Sequence, residues 1–239
     1  MTKSIVGVDI GHASLRAVEV VGATSSKPTI VRYGEILLPE GSVSRGEVLE
    51  PQTVADSMKQ LWSQAGFKSK QVVLGMGNQR VLARDLTVAK ASKARIKESL
   101  PFQVQDMLPV PVADALLDFY PVSEGIGEHG PVVNGLLIAA VKDAVLGNVR
   151  ATKLAGLHAV GVDLIPFATS RLLINRPGTP GTIALIDIGA STTSVVLVAD
   201  GVPQFVRIIP SGGDDVTGDL ATRLEIPRDL AEEPSARLD

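Results

Sequence analysis

The sequence predicts a mixed α/β protein of two related units, the first interrupted by an α+β insertion. Three observations carry this. Residues 5–20 read IVGVDIGHASLRAVEV and 183–201 read IALIDIGASTTSVVLVADG, two apolar runs each broken by Asp-Ile-Gly and then by small or hydroxyl residues. Strand-like runs and helix-period stripes alternate along much of the chain. One internal segment, 77–158, has its own strands, Gly-rich turn and helices.

Each element follows from local pattern. Residues 5–10 and 15–20 read as strands joined by a tight turn at Gly11–Ser14, and 29–38 as a third strand. PEGSVSRGEVLEP, 39–51, reads as a loop punctuated by Pro and Gly. Val54, Met58, Leu61, Trp62 and Ala65 form one apolar helical stripe, which Gly66 ends. QVVLGM, 71–76, is the next strand. A strand is expected near 80–88. A helix is expected from about Ser92 to Leu108, kinked or broken at Pro101, which cannot donate a backbone hydrogen bond. Strands near 115–122 and 132–141 flank the turn SEGIGEHG. A helix near 143–156 stops at Gly156, 159–165 is a strand, and Pro166 opens a helix to about Asn175. NRPGTPG, 175–181, is a linker. After the second hairpin come a strand at 202–210, a turn at SGGDD and a helix at about 215–224. The final residues are polar, and Pro234 breaks any helix there. These elements divide the chain into 1–76 with 159–178, an inserted 77–158, and 179–239.

Composition excludes several functions. With 45% hydrophobic and 21% charged residues the chain has the material for a substantial core. A net charge of −3 without a basic run argues against a nucleic-acid surface. There is no cysteine, so disulfides and thiolate metal sites are excluded. The N-terminal apolar stretch is too short for a signal peptide, and VVNGLLIAAV is about half of a membrane span.

The repeated hairpin carries the chemistry. A turn of glycine and small residues exposes successive N–H groups, a nest for anionic oxygens. Ser14, Ser191, Thr192 and Thr193 add hydroxyl donors. A lone phosphate would repel Asp9 and Asp187, but Mg²⁺ takes oxygen ligands and keeps waters that both could hold. Two such hairpins facing each other would clamp a nucleotide's phosphates, with Gly11–Ser14 on one side and Gly189, Ala190, Ser191, Thr192 and Thr193 on the other. Gly212 and Gly213 would let the backbone approach the same ligand. An ordinary hairpin turn accounts for one such motif alone; the pair, in the same order, favours the clamp.

These stretches resemble the actin-like ATPases, among them actin, sugar kinases and FtsA. VGVDIGHASLRAVEV is similar to their first phosphate motif and IALIDIGASTTSVVLV to their second. With LLPEGSVSRGEVLEPQTVADSMKQLW, MLPVPVADALLDFYPV, KLAGLHAVGVDLIPFATSRLL and VRIIPSGGDDVTGDLATRL, the closer resemblance is to the PilM family of type IV pilus assembly, over essentially the whole chain. It implies an actin-like, ribonuclease H-like fold with an FtsA-type insertion, and ATP with Mg²⁺ between the units. It implies a place on the cytoplasmic face of the inner membrane. There, a groove between insertion and first unit takes the cytoplasmic N-terminal tail of the membrane protein PilN. Family members continue past the equivalent of Asp239 into a glycine-rich adenosine motif, so the second unit is expected to be partial and the 183–209 strands to lack some of their cover. Many actin-like proteins place an acid or amide where this chain has Ile165. Isoleucine cannot orient a water, so weak or absent hydrolysis is expected. A scaffold is the main reading; an active ATPase or small-molecule kinase, or an FtsA-like filament protein, are alternatives.

Other residues offer less. His12, His129 and His158 share no metal spacing. His12 lies in the first turn, facing either a phosphate or solvent. Ser14 and Ser191 have no His–Asp partners for a triad. SKARIK, 92–97, is a solvated helix face before it is a membrane surface, and Trp62 belongs to the core stripe.

Overall fold

The computed structural model describes residues 4–174 and 180–232. Most of the expected linker at 175–181, and Pro234, lie outside them. In chain order the elements begin with β1 (Ser4–Ile10), β2 (Ser14–Val21) and β3 (Thr29–Leu37), then β4 (Val43–Ser44) and β5 (Glu47–Val48). Next come α1 (Pro51–Ala65), β6 (Gln71–Met76), β7 (Val81–Ala89), α2 (Lys93–Gln103), β8 (Ala115–Gly127) and β9 (Gly130–Val141). α3 (Lys142–Leu154), β10 (His158–Leu164) and α4 (Ile165–Leu173) follow. Last are β11 (Thr182–Ile188), β12 (Thr193–Ala199), β13 (Val202–Ile209), α5 (Gly213–Leu224) and α6 (Arg228–Glu232).

The first unit is a five-stranded sheet in the order β10-β6-β1-β2-β3, parallel among β10, β6 and β1 and antiparallel beyond. α1 forms where Pro51 occupies its first turn and ends where Gly66, at φ 67°, turns left-handed and donates to Trp62 O. Its buried stripe of Val54, Met58 and Leu61 packs with Val6, Val8, Leu15, Val72 and Leu74. Each such side chain stabilises by about 1.5–3 kcal/mol. Met58 is fully buried, and cutting it to alanine would cost roughly 2–5 kcal/mol.

One buried carboxylate belongs to this core. Glu19 is 1% exposed. Its oxygens accept from Ser4 Oγ, Arg32 Nη1 and the backbone N–H groups of Lys68 and Ser69, at 2.7–3.1 Å. Burial alone would raise its pKa, but these bonds together outweigh it and hold the carboxyl below its ordinary value.

The insertion is a three-stranded antiparallel sheet, β7-β9-β8. α2 covers one face, through Ile96 and Leu100 against Val88, Val133 and Leu137. The other face joins α4 and the sheet β11-β12-β13 of the second unit around Leu136, Phe167, Val196 and Val206.

Several expectations are corrected. The 39–51 loop contains the small β4–β5 hairpin, whose turn places Arg45 and Gly46 at positive φ. Pro101 sits inside α2 without breaking it; the helix ends at Gln103, and a 3-10 turn follows at Gln105–Met107. The ring falls in the last turn, where few hydrogen bonds remain to be lost. β8 and β9 run through most of SEGIGEHG and leave only Glu128 and His129 to turn. α3, assigned by sequence to the insertion, packs on α1 and the five-stranded sheet, with Ala151 in that core, and also meets the insertion through Ala144 and Val145 against Val81 and Ala140. α5 begins at Gly213, two residues early, and α6 forms in the segment read as merely polar.

Candidate functional site: a cleft between two hairpins and a neighbouring groove

The β1–β2 and β11–β12 turns face each other across a cleft of about 360 Å³. Their internal geometry matches. Gly11 N–H donates to Ser14 O at 2.9 Å, and Gly189 N–H donates to Thr192 O at 2.9 Å. A Cβ on Gly11 would stand 2.9 Å from Ser14 O, too close for a side chain, and one on Gly189 would stand 3.1 Å from Thr192 O, so that turn would have to open by a few tenths of an ångström. The glycine N–H groups are therefore used by the turns. His12 and Ala13, and Ala190 and Ser191, carry the N–H groups left to meet an anion.

Asp9 and Asp187 both line this cleft. Burial raises the Asp9 carboxyl's pKa; Arg16, its cross-strand partner, pulls it down, and Asp187 pushes it up again. A buried carboxylate beside a second one suits a divalent cation, which offsets the cost of its charge. No cluster of three or more His, Cys, Asp or Glu exists among the described residues, so a Mg²⁺ here would take most of its ligands from phosphate and water. The residues fit that group. Bound, it would neutralise phosphate charge between the two turns, and Asp9 and Asp187 would orient its waters.

Gly11, His12, Ser14, Gly189, Ala190, Ser191 and Thr192 all line the cleft as the motif reading expects. Thr193, Gly212 and Gly213 do not. Thr193 Oγ1 donates to Ser211 O at 2.8 Å, away from it. Gly212 stands behind the second turn, where an added Cβ would lie 2.4 Å from Gly189 O and 2.6 Å from Ala190 O. Gly213 and Asp214 donate their N–H groups to those same oxygens, at 3.0 and 2.8 Å. These glycines thus seat α5 against the second turn. His12 lies on the cleft wall with its side chain 34% exposed; its Nε2 is 3.3 Å from Asp214 Oδ2, joining the first turn to α5, and Arg228 reaches the same aspartate at 3.5 Å.

Sequence reasoning missed Arg16, Gly46, Gly75, Gly77 and Ser194 on the cleft wall. Arg16 had a readable signal, since the hairpin register sets it opposite Asp9. Gly46, Gly75 and Gly77 come from other elements and had none. Ile165 lines the cleft as well, and Asp163, its nearest acidic neighbour in sequence, is paired with Arg171.

A second concavity, also of about 360 Å³, lies between the insertion and the first unit. The edge strands β8 and β10 border it, and Leu116, Leu117, Ile138, Val162, Leu164 and Phe167 line it. Lys97 and Asp118 are shared with a larger, adjoining hollow along β8 that reaches Tyr120 and Glu124.

The family model of type IV pilus assembly protein PilM matches residues 7–237. The chain belongs to the PilM family. Its structure superposes on that of a PilM–PilN type IV pilus biogenesis complex with a TM-score of 0.84 and 28% identity, covering 96% of this chain and 68% of that one. EutJ, an ethanolamine utilization protein from Carboxydothermus hydrogenoformans, superposes with a TM-score of 0.55 at 17% identity, a likeness of fold, covering 97% of this chain and 61% of that one. Among curated proteins, FtsA of Bacillus subtilis is 22% identical and FtsA of Pseudomonas aeruginosa 23%, each over 98% of this chain. This PilM-family chain spans 57% and 61% of the length of those two relatives. The fold is actin-like, α/β with paired hairpins at the cleft. Among the described residues, no helix is long and apolar enough to cross a membrane.

Proposed function

We propose that the chain is a scaffold of the type IV pilus platform, docking the cytoplasmic tail of a PilN-like membrane protein and holding Mg-ATP in its cleft. The observation that carries the reading is the apolar groove bordered by two sheet edges. β8 and β10 are both end strands, so each presents unpaired backbone groups to whatever enters. An extended peptide satisfies such an edge and sets alternate apolar side chains into the hollow. The PilM–PilN complex, similar over nearly the whole chain, supports a PilN-like partner. That partner would hold the protein at the inner face of the cytoplasmic membrane. Ile165 on the cleft wall supports slow or absent hydrolysis.

The test is titration of a fluorescein-labelled peptide, the N-terminal cytoplasmic segment of the PilN homologue from the same genome. Val162→Asp places a charge on the apolar wall and is expected to weaken binding by roughly tenfold or more. No binding by the folded chain would sink the docking role. Phosphate release with Mg-ATP is expected near background and raised by Ile165→Glu; robust turnover by the unmodified chain would instead make it an ATPase.

A further inference from the structure

We infer that the first turn of α5 is a latch that holds the two units closed over the cleft through protein contacts alone, with Asp214 and Asp215 on one side and His12 and Arg45 on the other, and that it sets how fast the cleft exchanges its occupant. The latch stands on geometry; its effect on exchange rests on the Mg-ATP reading above. α5 starts from the second turn, where Gly213 and Asp214 donate their N–H groups to Gly189 O and Ala190 O, and Asp215 Oδ2 accepts from the Gly212 N–H at 2.9 Å. From that fixed start the Asp214 carboxylate reaches the first unit, 3.3 Å from His12 Nε2. The contact carries a cost that a plain surface pair lacks. His12 Nδ1 is buried with no hydrogen-bond partner among the described residues. A ring released from Asp214 could turn that nitrogen to water, so the contact, not the ring's own solvation, holds the closed pose.

Arg45 gives an independent sign of the same device. Among the described residues it is one of three other than glycine at positive φ, at 48° in the β4–β5 turn. A strained residue persists where its surroundings fix it. Here the fully buried Asn78 donates from Nδ2 to Gly46 O at 3.3 Å, and a Cβ on Gly46 would stand 2.9 Å from Asn78 Cβ. The turn is thus pinned at the cleft wall, and the charge it carries reaches α5. The Gly212 N–H and the Ser211 hydroxyl hold the Asp215 carboxyl below its ordinary value, and Arg45 and Arg228 lower it further. The units also share the apolar cluster of Leu136, Phe167, Val196 and Val206. That cluster serves as the hinge, and the charged groups at the turns as the catch. His12 and Asp214 are both partly exposed, so each pair contributes little alone and the catch opens readily.

The experiment uses two spin labels on the full chain. The sequence has no cysteine, so Gln52→Cys on α1 and Asp219→Cys on α5, both exposed, are the only labelled positions. Distance measurement by electron-spin resonance without ligand should give one narrow distribution. Asp214→Lys sets a cation against His12, Arg45 and Arg228; it should lengthen or broaden the distribution, and adding His12→Glu should restore most of the narrow peak. Arg45→Gly removes the charge and relieves the positive φ, so it tests the latch with the turn intact. It should broaden the distribution and speed the release of a fluorescent ATP analogue by about threefold to tenfold. A broad distribution in the parent chain, or one that neither variant changes, overturns the latch. If the distances respond and no analogue binds, the latch stands and the reading of the cleft fails. If the distances respond and bound analogue leaves at an unchanged rate, the control of exchange is overturned.

Discussion

The two hairpins share a backbone and differ in which face they bury. In the first, Val6, Val8, Ile10, Leu15 and Ala17 point into the core under α1. At the same distances from its own aspartate, the second hairpin has Ala184, Ile186, Ile188, Thr193 and Val195. Of these, Ile186 and Ile188 are 58% and 70% exposed. Its buried face is the opposite one, with Ile183, Leu185, Val196 and Val198 packed toward α4 and the insertion. Where the first hairpin holds Glu19 in a shell of four donors, the second has Leu197, partly open to solvent. The two hairpins therefore share the turn and its aspartate, while the helices and the insertion decide which face becomes core. Charge is unequal too: Asp9 pairs across the ladder with Arg16, Asp187 with Ser194.

Breaking the first hairpin's anchor should have the largest effect. Glu19→Ala leaves the Arg32 guanidinium and two backbone N–H groups short of their acceptor. It should cost about 3 kcal/mol in chemical denaturation. Because the folded carboxyl lies below its ordinary value of 4.5, its contribution is present above that value and lost as pH falls through the folded pKa. Acid denaturation of the unmodified protein should therefore be steeper than that of Glu19→Gln.

The two aspartates come next, and they should separate ligand binding from stability. Asp187→Ala should weaken Mg-ATP by roughly tenfold or more in calorimetry, while the unfolding midpoint moves little. Asp9→Asn should weaken Mg-ATP as well, yet stabilise the ligand-free fold by on the order of 1 kcal/mol. The sign follows from the raised pKa: folding favours the protonated carboxyl, so Asp9 costs stability increasingly as pH rises from its unfolded value through its folded one. An unchanged or lowered midpoint for Asp9→Asn at neutral pH would contradict this.

The smallest effect tests the exposed face. Ile186→Thr with Ile188→Thr should reduce concentration-dependent self-association in sedimentation, with little change in unfolding.

Local signals were the legible ones. The bounds of β6, the Gly66 stop and the start of a helix at about Ser92 rest on neighbouring residues, and all three stand in the structure. So do both turns of the cleft, because a tight turn is written in its own residues. What pattern alone could not supply were choices made by distant partners. α3 has the same amphipathic period whether it covers the insertion or the first sheet. Gly212 reads as a phosphate-loop glycine, and only the approach of Gly189 and Ala190 shows that it makes room for another turn. IALIDI is apolar on both faces, which signals burial without saying against what.

Trp62 is the chain's single tryptophan. Its ring lies tilted against that of Phe67, 4.9 Å between centroids, it donates from Nε1 to Ser69 O at 2.9 Å, and the N–H of Ser69 meets Glu19. Its fluorescence is thus a built-in reporter of the first unit, set beside that unit's most vulnerable interaction and remote from β11–β13. Far-ultraviolet circular dichroism sums helices and strands over the whole chain. Two melting curves from one sample, one at each signal, would measure how far the halves of the molecule unfold as one. Any gap between their midpoints would be the share of stability that the second half keeps to itself.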